Sequence, residues 1–550
     1  MKENKRQSGS ACAGCTADVA DFRDDYPKFT PAMKHTHKIL VPDMLPVHFG
    51  IIVDFLRKDG WDIELLRNDS RAVIDEGLKH VHNDTCFPAL CVTGQFIDAL
   101  KSGKYDVEHT AVMITQSGGG CRASNYIPLI RKALKAEFPH VPVISLNFAG
   151  LEKDSGFPVN AKMLLKLAFA IFYGDTLMSL YNQCKPYEKE EGAADAAREE
   201  CVRAINDAYD RGKYLHYMRI TRGLLERFAR VPRSGEQKVK VGIVGEIYVK
   251  YSPLGNSHLE EFLLSEGCEP VVPALMDFVM YCAVNNVNDA KLYNKKSIAT
   301  PLFALVYRYL HHVQKKIIRL TEKYGFEPLH DFEHLRRCAD KVLNQGVKMG
   351  EGWLIPAEMA ALAETGTDNI VCAQPFGCLP NHIAGKGAVR TLKRMYEHEN
   401  IVAVDYDPSA TKVNQENRIK LMLATARENL AAAKAQAAVP FYCEKCHRLA
   451  EGDRCPGCGK HKVRRVQAED FCLLAVVDRM LGSILEEALK SSGIDAVNEP
   501  FYTHATYAMA GNADSAKIYV RYGALAEAAA LMGERFGVQP VRGVPVPADK

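Results

Sequence analysis

The sequence predicts an α/β fold: two doubly wound parallel-sheet domains with helical insertions, followed by a small cysteine-rich ribbon and C-terminal helices. Three observations predict it. Short apolar runs rich in β-branched residues alternate with helical patterns twice along the chain, as in parallel sheets covered by helices. A charged break containing Pro and Gly separates the two series at residues 231–238. Four cysteines arranged as two CxxC pairs follow the second series.

The first domain is predicted to occupy residues 36–232, after a polar leader at 1–35 that carries a Cys12-x2-Cys15 pair. Its helices are predicted from the segments VHFGIIVDFLRKDG, PALCVTGQFIDALKSG and NYIPLIRKALKAEF. Its strands are predicted at residues 37–44, 62–66, 110–115 and 141–147.

The second domain is predicted at residues 238–438, with a mostly helical insertion near 278–347 and a long helix over 411–438. A ribbon follows at 440–463, and a C-terminal helical region at 464–550 has its patterns near 469–490 and 514–536. ITQSGGGC in the first domain and CAQPFGC in the second both follow a strand, which is a weak indication of duplication. The strands of the second domain are predicted at residues 239–246, 269–273, 369–375 and 400–407.

Composition limits the functional classes. The chain has 550 residues, 47% of them hydrophobic and 25% charged, with a net charge of +3. This balance is typical of globular proteins and excludes a collagen-like or wholly disordered chain. It also argues against a nucleic-acid or acidic-membrane binder, which needs a basic face. No secretory signal or spanning segment is predicted, so we expect a cytoplasmic protein.

The chain has 17 cysteines, and the expected cytoplasmic location affects how they are interpreted. A reducing cytosol disfavours a disulfide framework, so metal or iron–sulfur ligation is the leading interpretation. The most specific pattern is Cys443-x2-Cys446-x8-Cys455-x2-Cys458, which can place four thiolates around one tetrahedral ion. Zinc is the favoured occupant of this ribbon and iron is the alternative. The alternative interpretation is that these are four incidental surface cysteines that bind no metal.

A second set of cysteines is dispersed. Cys86, Cys121 and Cys378 each lie in a turn that leads into a predicted helix, and the last two follow strands. In open α/β sheets such turns meet at the carboxyl ends of the strands, where ligands bind. A helix N-terminus also favours the thiolate form of cysteine, which is the form that binds iron. From the residues alone, the alternative to a shared site is that the three cysteines are buried separately in their turns.

Long motifs of one known family occur in the expected order between about Phe29 and Arg427. They include ILVPDMLPVHF, HVHNDTCFPAL, TQSGGGCRASNYIPLIRKAL, VGIVGEIYVKYSPLGNSHLEEFLLSEG, GEGWLIPAEM, QPFGCLPNHIAGKGAVRTL and VAVDYDPSATKVNQENRIKLML. Through these motifs the sequence resembles the 2-hydroxyacyl-CoA dehydratase family of iron–sulfur proteins, and in particular the dehydratase-like region of acyl-CoA dehydratase activase-related proteins. The resemblance implies two α/β domains that hold a cysteine-ligated iron–sulfur cluster, with Cys86, Cys121 and Cys378 as ligands. Related members hold a [4Fe–4S] cluster on three cysteines, and one relative holds a double-cubane cluster.

The sequence departs from the family pattern in three respects. The activator ATPase portion of the large proteins has no counterpart here, and residues 440–550 fall outside the resemblance. Extra cysteines occur as well. Cys12 and Cys15 would allow a cluster larger than four irons if they fold onto the site, whereas Cys91 and Cys372 are interpreted as buried structural residues.

Several other residues are candidates for chemistry near the cluster. Arg122 and Asn125 could donate hydrogen bonds to cluster sulfurs or to a substrate carbonyl, or could cap the following helix. His382, four residues after Cys378, could donate a proton or simply pack. Three acidic residues in the matched motifs are further candidates: Glu246, Glu351 and Glu358.

The functional expectation is an iron–sulfur protein that accepts low-potential electrons from a separate ATP-hydrolysing iron–sulfur activator and uses them to reduce or dehydrate a small substrate. One alternative is a true 2-hydroxyacyl-CoA dehydratase subunit, acting on an acyl-CoA with a homologous second subunit. The other is a cluster-bearing scaffold or redox sensor without turnover. A homodimer or heterodimer is compatible with each of these, and no membrane or nucleic-acid partner is expected.

Overall fold

A computed structural model of the chain describes residues 26–82, 84–116, 120–147, 156–295, 297–459, 463–501 and 515–544. It divides into two compact units, Met1–Arg427 and Glu428–Lys550. Cys12 and Cys15, with the predicted leader, lie outside the described residues.

The first sheet of the larger unit contains four parallel strands in the order β2-β1-β3-β4. Every one of the four was predicted, because strands covered on both faces appear in the sequence as nearly continuous apolar runs. In the third strand all positions except one are buried. The four strands are β1 (Lys38–Pro42), β2 (Ile63–Leu66), β3 (Thr110–Gln116) and β4 (Val143–Asn147).

The second sheet repeats the arrangement. Its four parallel strands have the order β6-β5-β7-β8, so in both sheets the first strand of the series lies between the second and the third. The four strand predictions are confirmed here too, and the shared order supports the indication of duplication. These strands are β5 (Lys240–Gly245), β6 (Glu269–Val271), β7 (Asn369–Pro375) and β8 (Asn400–Tyr406).

Helices connect the parallel strands, as crossover connections require. The predicted helical insertion near 278–347 is confirmed by three helices, Leu275–Leu292, Thr300–Lys323 and Phe332–Val342, and the predicted long helix by Lys412–Ala438. The helices of the first half are α1 (Pro46–Lys58), α2 (Arg71–His80), α3 (Phe87–Lys101), α4 (Tyr126–Glu137), α5 (Ala161–Cys184), α6 (Ala193–Asp210) and α7 (Tyr217–Ala229). Those of the second half are α8 (Ile247–Tyr251), α9 (Pro253–Asn256), α10 (Leu259–Ser265), α11 (Leu275–Leu292), α12 (Thr300–Lys323), α13 (Phe332–Val342), α14 (Leu354–Glu364), α15 (Gly387–Met395) and α16 (Lys412–Ala438).

One hydrophobic core joins the two halves of this unit. It contains Phe169 from α5, Trp353 from the segment before α14, and Ile370 from β7. The segment Ala161–Tyr187 is long and apolar enough to cross a membrane, with a mean hydropathy of 1.4, but 61% of its most apolar window is buried inside the protein. That burial is the behaviour of a core helix of a globular protein. The cytoplasmic location stays a prediction.

The smaller unit contains the ribbon strands and a second, antiparallel sheet. The ribbon has the strand order β10-β9-β11, and the second sheet has the order β12-β14-β13. The ribbon strands are β9 (Phe441–Cys443), β10 (Leu449–Ala450) and β11 (Val463–Arg465). The elements that follow are β12 (Phe471–Asp478), α17 (Arg479–Ser491), β13 (Ala496–Phe501), β14 (Ser515–Arg521) and α18 (Leu525–Phe536).

The helical patterns predicted near 469–490 and 514–536 are therefore wrong in their first parts, which are the strands β12 and β14. Two helices are present, but the segment FCLLAVVD, predicted as the start of a helix, is the strand β12. A short continuous apolar run fits a buried strand and a buried helix equally well by periodicity alone. Tertiary packing selects the strand for this segment. The two strands and the two helices share one core, which contains Leu474 of β12, Ile518 of β14, Leu485 of α17 and Leu525 of α18.

Candidate functional site

The three dispersed cysteines all lie in turns that precede helices. Cys86 immediately precedes α3, and Cys121 precedes a 3-10 turn, Arg122–Asn125, that leads into α4. Cys378 follows β7 and precedes a π-helical turn, Asn381–Lys386, that leads into α15. Cys86 and Cys378 are only 5% and 6% exposed, whereas Cys121 is partly exposed.

Backbone contacts bring these turns together although they are distant in sequence. The N–H of Phe87 donates to the carbonyl oxygen of Phe376 at 3.0 Å. A Cβ placed on Gly377 would lie 3.2 Å from the Cα of Cys86 and 3.1 Å from Nη1 of Arg122. The Cys378 turn thus packs directly on the Cys86 turn. The backbone at Gly350 approaches the third turn, because a Cβ placed on Gly350 would lie 3.8 Å from Sγ of Cys121.

The three thiols are close enough for their charges to interact. Burial raises the pKa of all three, that of Cys121 to about 12, and a charged Cys86 or Cys121 raises the pKa of the next thiol further. One backbone amide near each sulfur partly offsets this increase. The three amides are those of Ala89, Ala123 and Asn381. Each belongs to the first turn after its cysteine, so the helix N-termini face the sulfurs as the sequence predicted.

Two carboxyl groups face the same site. Glu246 accepts a hydrogen bond from the N–H of Val249 at 3.0 Å, and Glu351 accepts one from the N–H of Ile247 at 3.0 Å. Both therefore lie at the N-terminus of α8. Burial, and then the neighbouring Glu351, raise the pKa of Glu246 to about 8. Charge on these carboxyl groups also raises the pKa of Cys121.

Tyr126 is a site residue that the sequence did not identify. Its hydroxyl lies 3.0 Å from Sγ of Cys86, and the side chain is buried at the first turn of α4. Only its position five residues after Cys121 could have indicated a role. The contact to Cys86 depends on how α3 and α4 pack, which no local pattern reveals.

The three polar residues predicted to act near the cluster, Arg122, Asn125 and His382, have different surroundings in the structure. Arg122 lies at the site, where its guanidinium donates to the carbonyl oxygen of Asp84 beside the Cys86 turn. Asn125 is exposed, and its side chain does not cap α4. His382 is exposed and its ring contacts the amide of the buried Gln374. Of the three, Arg122 contacts the Cys86 turn through its side chain, whereas His382 contacts Cys378 through its backbone N–H, which donates to the carbonyl oxygen of Cys378.

The remaining candidates inside the larger unit are buried. Glu358 forms a buried ion pair with Lys250, with Nζ and Oε1 2.9 Å apart. Cys91 and Cys372 are fully buried, and Sγ of Cys372 lies 3.5 Å from Oδ1 of Asn381. These environments fit structural roles.

The four ribbon cysteines form one tight group in the smaller unit. Their sulfurs all lie within 4.8 Å of one another. The distances from Cys443 to Cys458 and Cys446 are 3.7 and 3.5 Å, and the distance from Cys446 to Cys455 is 3.1 Å. A tetrahedral ion with metal–sulfur bonds of about 2.3 Å would separate its thiolates by about 3.8 Å. The group could therefore hold a metal ion with small adjustments.

The ribbon backbone is shaped for these sulfurs. His447 and Gly459, each just after a CxxC pair, adopt positive φ values of 55° and 66°. The N–H of Gly457 donates to Sγ of Cys455 at 3.3 Å. Although burial opposes the change, the Cys446 thiol and backbone amides lower the pKa of Cys455, while burial and the neighbouring cysteines raise the pKa of Cys446. Cys455 therefore takes the thiolate form before Cys446 does.

No protein-family model matches the chain, and no curated protein matches it. The fold and the sites define it as a mixed α/β protein with two parallel sheets, three clustered thiols and a four-cysteine group that could hold a metal ion.

Proposed function

We propose that the protein is an iron–sulfur protein that accepts low-potential electrons from a separate ATP-hydrolysing activator and uses them to reduce or dehydrate a small substrate. The observation that carries the proposal is the convergence of Cys86, Cys121 and Cys378, from both halves of the larger unit, at helix N-termini. The halves correspond to the two doubly wound domains that the resemblance implies.

The three thiols do not form a group tight enough for a single ion. Among the described residues, two groups of metal-ligating side chains are tight enough for one ion, with ligand atoms within 4.8 Å, and these thiols are in neither. Thiolates that bind different irons of a cluster stand farther apart than thiolates around one ion. Cys86, Cys121 and Cys378 would hold the cluster, either a [4Fe–4S] or a double-cubane type. Cys12 and Cys15 remain proposed additional ligands.

The surroundings favour a low reduction potential. When bound, the cluster would supply one-electron transfer. Cys86 and Cys378 are nearly inaccessible to water. Burial raises the cost of an added negative charge. The hydrogen bond from Tyr126 acts in the opposite direction and limits the decrease.

The site also holds a proton for the reaction. With its pKa raised to about 8, Glu246 carries a proton at neutral pH and can deliver it to a substrate beside the thiols. Arg122 places a positive charge at the rim, where it can bind a carbonyl oxygen or a carboxylate of the substrate. Asn125 and His382 would have to reorient before they could contribute.

An apolar rim beside the cysteines supports docking of the activator. Phe376, Leu379 and Ile383 flank Cys378 and are 49%, 49% and 68% exposed, and Met349 beside Gly120 is 63% exposed. Large exposed apolar side chains in one neighbourhood are typical of protein-binding surfaces. Leu379→Glu and Ile383→Glu should slow ATP-dependent reduction by the activator. Their iron content and their reduction by a small chemical donor should stay as in the wild type.

The ribbon would hold zinc in a closed four-thiolate site, with a structural role. Removing that ion with a chelator should unfold the ribbon, because metal binding and folding of such small sites are coupled. The iron content of the larger unit should not change.

Anaerobic purification with iron, sulfide and zinc analysis, and EPR of the reduced protein, tests the proposal. About four irons per chain would support one cubane and about eight a double cubane. Cys121→Ala should lose the cluster signal and keep the ribbon zinc, whereas Cys184→Ala, a buried cysteine of the core, should keep both. Wild-type iron content in Cys121→Ala would overturn the ligand assignment.

A turnover experiment separates the functional alternatives. The loaded protein, an activator, ATP and a low-potential donor are incubated with a small reducible molecule or with a 2-hydroxyacyl-CoA. Water loss from the thioester would identify a dehydratase subunit, and reduction of the small molecule a reductase. ATP-dependent reduction of the cluster without turnover of either substrate would favour a scaffold or sensor.

A further inference from the structure

A second group of metal-ligating side chains lies away from the three thiols. His334 and Cys338 are one helical turn apart on α13, and Glu364 is the last residue of α14. Glu364 precedes β7, whereas Cys378 follows it. The group therefore lies towards the amino end of β7, and the three thiols lie towards its carboxyl end. The length of α14 alone separates it from Glu351 by about 16 Å.

The distances within this group fit a tetrahedral ion. Sγ of Cys338 lies 3.6 Å from Nε2 of His334, and Nε2 lies 3.7 Å from Oε2 of Glu364. Metal bonds of about 2.3 Å to sulfur and about 2.0–2.2 Å to nitrogen and oxygen would give separations of about 3.6 and 3.4 Å. The nitrogen–oxygen distance is too long for a direct hydrogen bond. The three ligand atoms all lie within 4.8 Å of one another.

The carboxylate of Glu364 is held in the orientation that this requires. Its Oε1 accepts hydrogen bonds from Nζ of Lys341 at 2.5 Å and from the hydroxyl of Tyr396 at 2.6 Å. Oε2 is the atom that faces His334. Groups that orient a ligand in this way are a regular feature of metal sites.

The group is also accessible from solvent. Cys338 is fully buried, but the side chains of His334 and Glu364 are 24% and 23% exposed, so an ion can enter from the surface. A thiolate and a carboxylate together carry two negative charges, which balance a divalent cation. The positive charge of Lys341 weakens binding but remains paired with Oε1.

We propose that His334, Cys338 and Glu364 bind a zinc ion, with the fourth coordination position occupied by water. A mixed sulfur, nitrogen and oxygen donor set suits zinc better than magnesium or calcium, which prefer oxygen ligands. The ion joins α13 to the end of α14. This site does not depend on the iron–sulfur proposal and differs from the ribbon in ligands and in position along the chain.

Zinc stoichiometry of the full chain tests this site. The full chain is purified anaerobically, stripped with a mild chelator and equilibrated with buffered free zinc. Wild type should bind about one zinc more than His334→Gln and Glu364→Gln, because each variant removes one of three protein ligands. Both residues are partly exposed, so the variants should fold. His312→Gln, an exposed histidine on α12, is the control and should match the wild type.

Thermal unfolding gives a second measurement. Zinc should raise the melting temperature of the wild type and the control by more than that of the two variants, since an ion that binds only the folded state stabilises it. Equal zinc content in wild type, His334→Gln and Glu364→Gln would overturn the proposal, as would equal stabilisation by zinc in all of them.

Discussion

The N–H of Phe87 donates to the carbonyl oxygen of Phe376 across 289 residues of chain, at a distance of 3.0 Å. Phe87 follows Cys86, and Phe376 lies two residues before Cys378. This one backbone bond therefore ties together the turns that carry two of the three clustered thiols. Because the bond involves no side chain, it requires close approach of the two backbones, and Gly377 lies where they meet.

Gly377→Ala should separate these turns. Gly377 has a φ of +73°, and an added Cβ would lie 3.2 Å from the Cα of Cys86 and 3.3 Å from the carbonyl oxygen of Thr85. Backbone atoms cannot move aside as a flexible side chain can. We expect a loss of stability above the roughly 1–2 kcal/mol that a left-handed conformation costs a non-glycine residue. Iron content after anaerobic reconstitution should fall with it.

Gly103→Ala is the matched control for this effect. Gly103 has a φ of +71° but nothing within 4 Å of the position of a Cβ. It should show the conformational cost alone and retain iron. If urea unfolding and iron analysis cannot distinguish the two variants, the close approach at Gly377 does not hold the site together.

Tyr126→Phe should lower the reduction potential of the proposed cluster. The hydroxyl of Tyr126, 3.0 Å from Sγ of Cys86, stabilises negative charge on that sulfur, and reduction adds such charge. A net hydrogen-bond contribution of about 1 kcal/mol corresponds to roughly 40 mV for a one-electron couple. Redox titration followed by EPR measures the shift. Tyr173→Phe removes another buried hydroxyl, which donates to the carbonyl oxygen of Tyr214, and should leave the potential unchanged.

The sequence predicted the sheets well for a physical reason. Strands such as β3 and β7 are buried on both faces and appear as uninterrupted apolar runs. Turns before helices were equally visible, and they located Cys86, Cys121 and Cys378. The same logic failed for β12, since an apolar run of that length is compatible with either structure.

Contacts between distant elements were beyond such patterns. The approach of Tyr126 to Cys86, and of Glu246 to Glu351, depends on how helices and turns from separate parts of the chain pack. His382 shows the converse. Its spacing from Cys378 placed it near the thiols, but its ring contacts Gln374 instead. Sequence spacing fixes position along a helix and leaves the partner undetermined.

Lys250→Met should be strongly destabilising. The side chains of Lys250 and Glu358 are 3% and 1% exposed and form an ion pair at 2.9 Å. Removing the lysine leaves a carboxylate buried without its partner, which costs about 3–5 kcal/mol. The double variant Lys250→Met/Glu358→Met should recover most of that loss, because it buries no charge. Urea unfolding of both variants measures the difference, and equal loss in the single and double variants would contradict the explanation.

Glu399→Gln should stabilise the protein above about pH 5. Glu399 is 8% exposed, and both its carboxylate oxygens are buried without a hydrogen-bond partner among the described residues. Burial, and then the nearby Asp368, raise its pKa to about 8. Below the unfolded pKa of about 4.3 the group is protonated in both states, so its ionisation costs no stability. As the pH rises further, the unfolded state ionises first, so the wild type loses stability until the pH passes the folded pKa. Glutamine does not ionise, so the advantage of the variant should grow from pH 5 to 8 and then level off.

We expect Glu399→Gln to gain on the order of 1 kcal/mol, because residual hydration reduces the effect. Melting temperatures between pH 4.5 and 9 measure it. The exposed Glu397→Gln is the control and should track the wild type at every pH, whereas a pH-independent gain in Glu399→Gln would show that ionisation is not its cause.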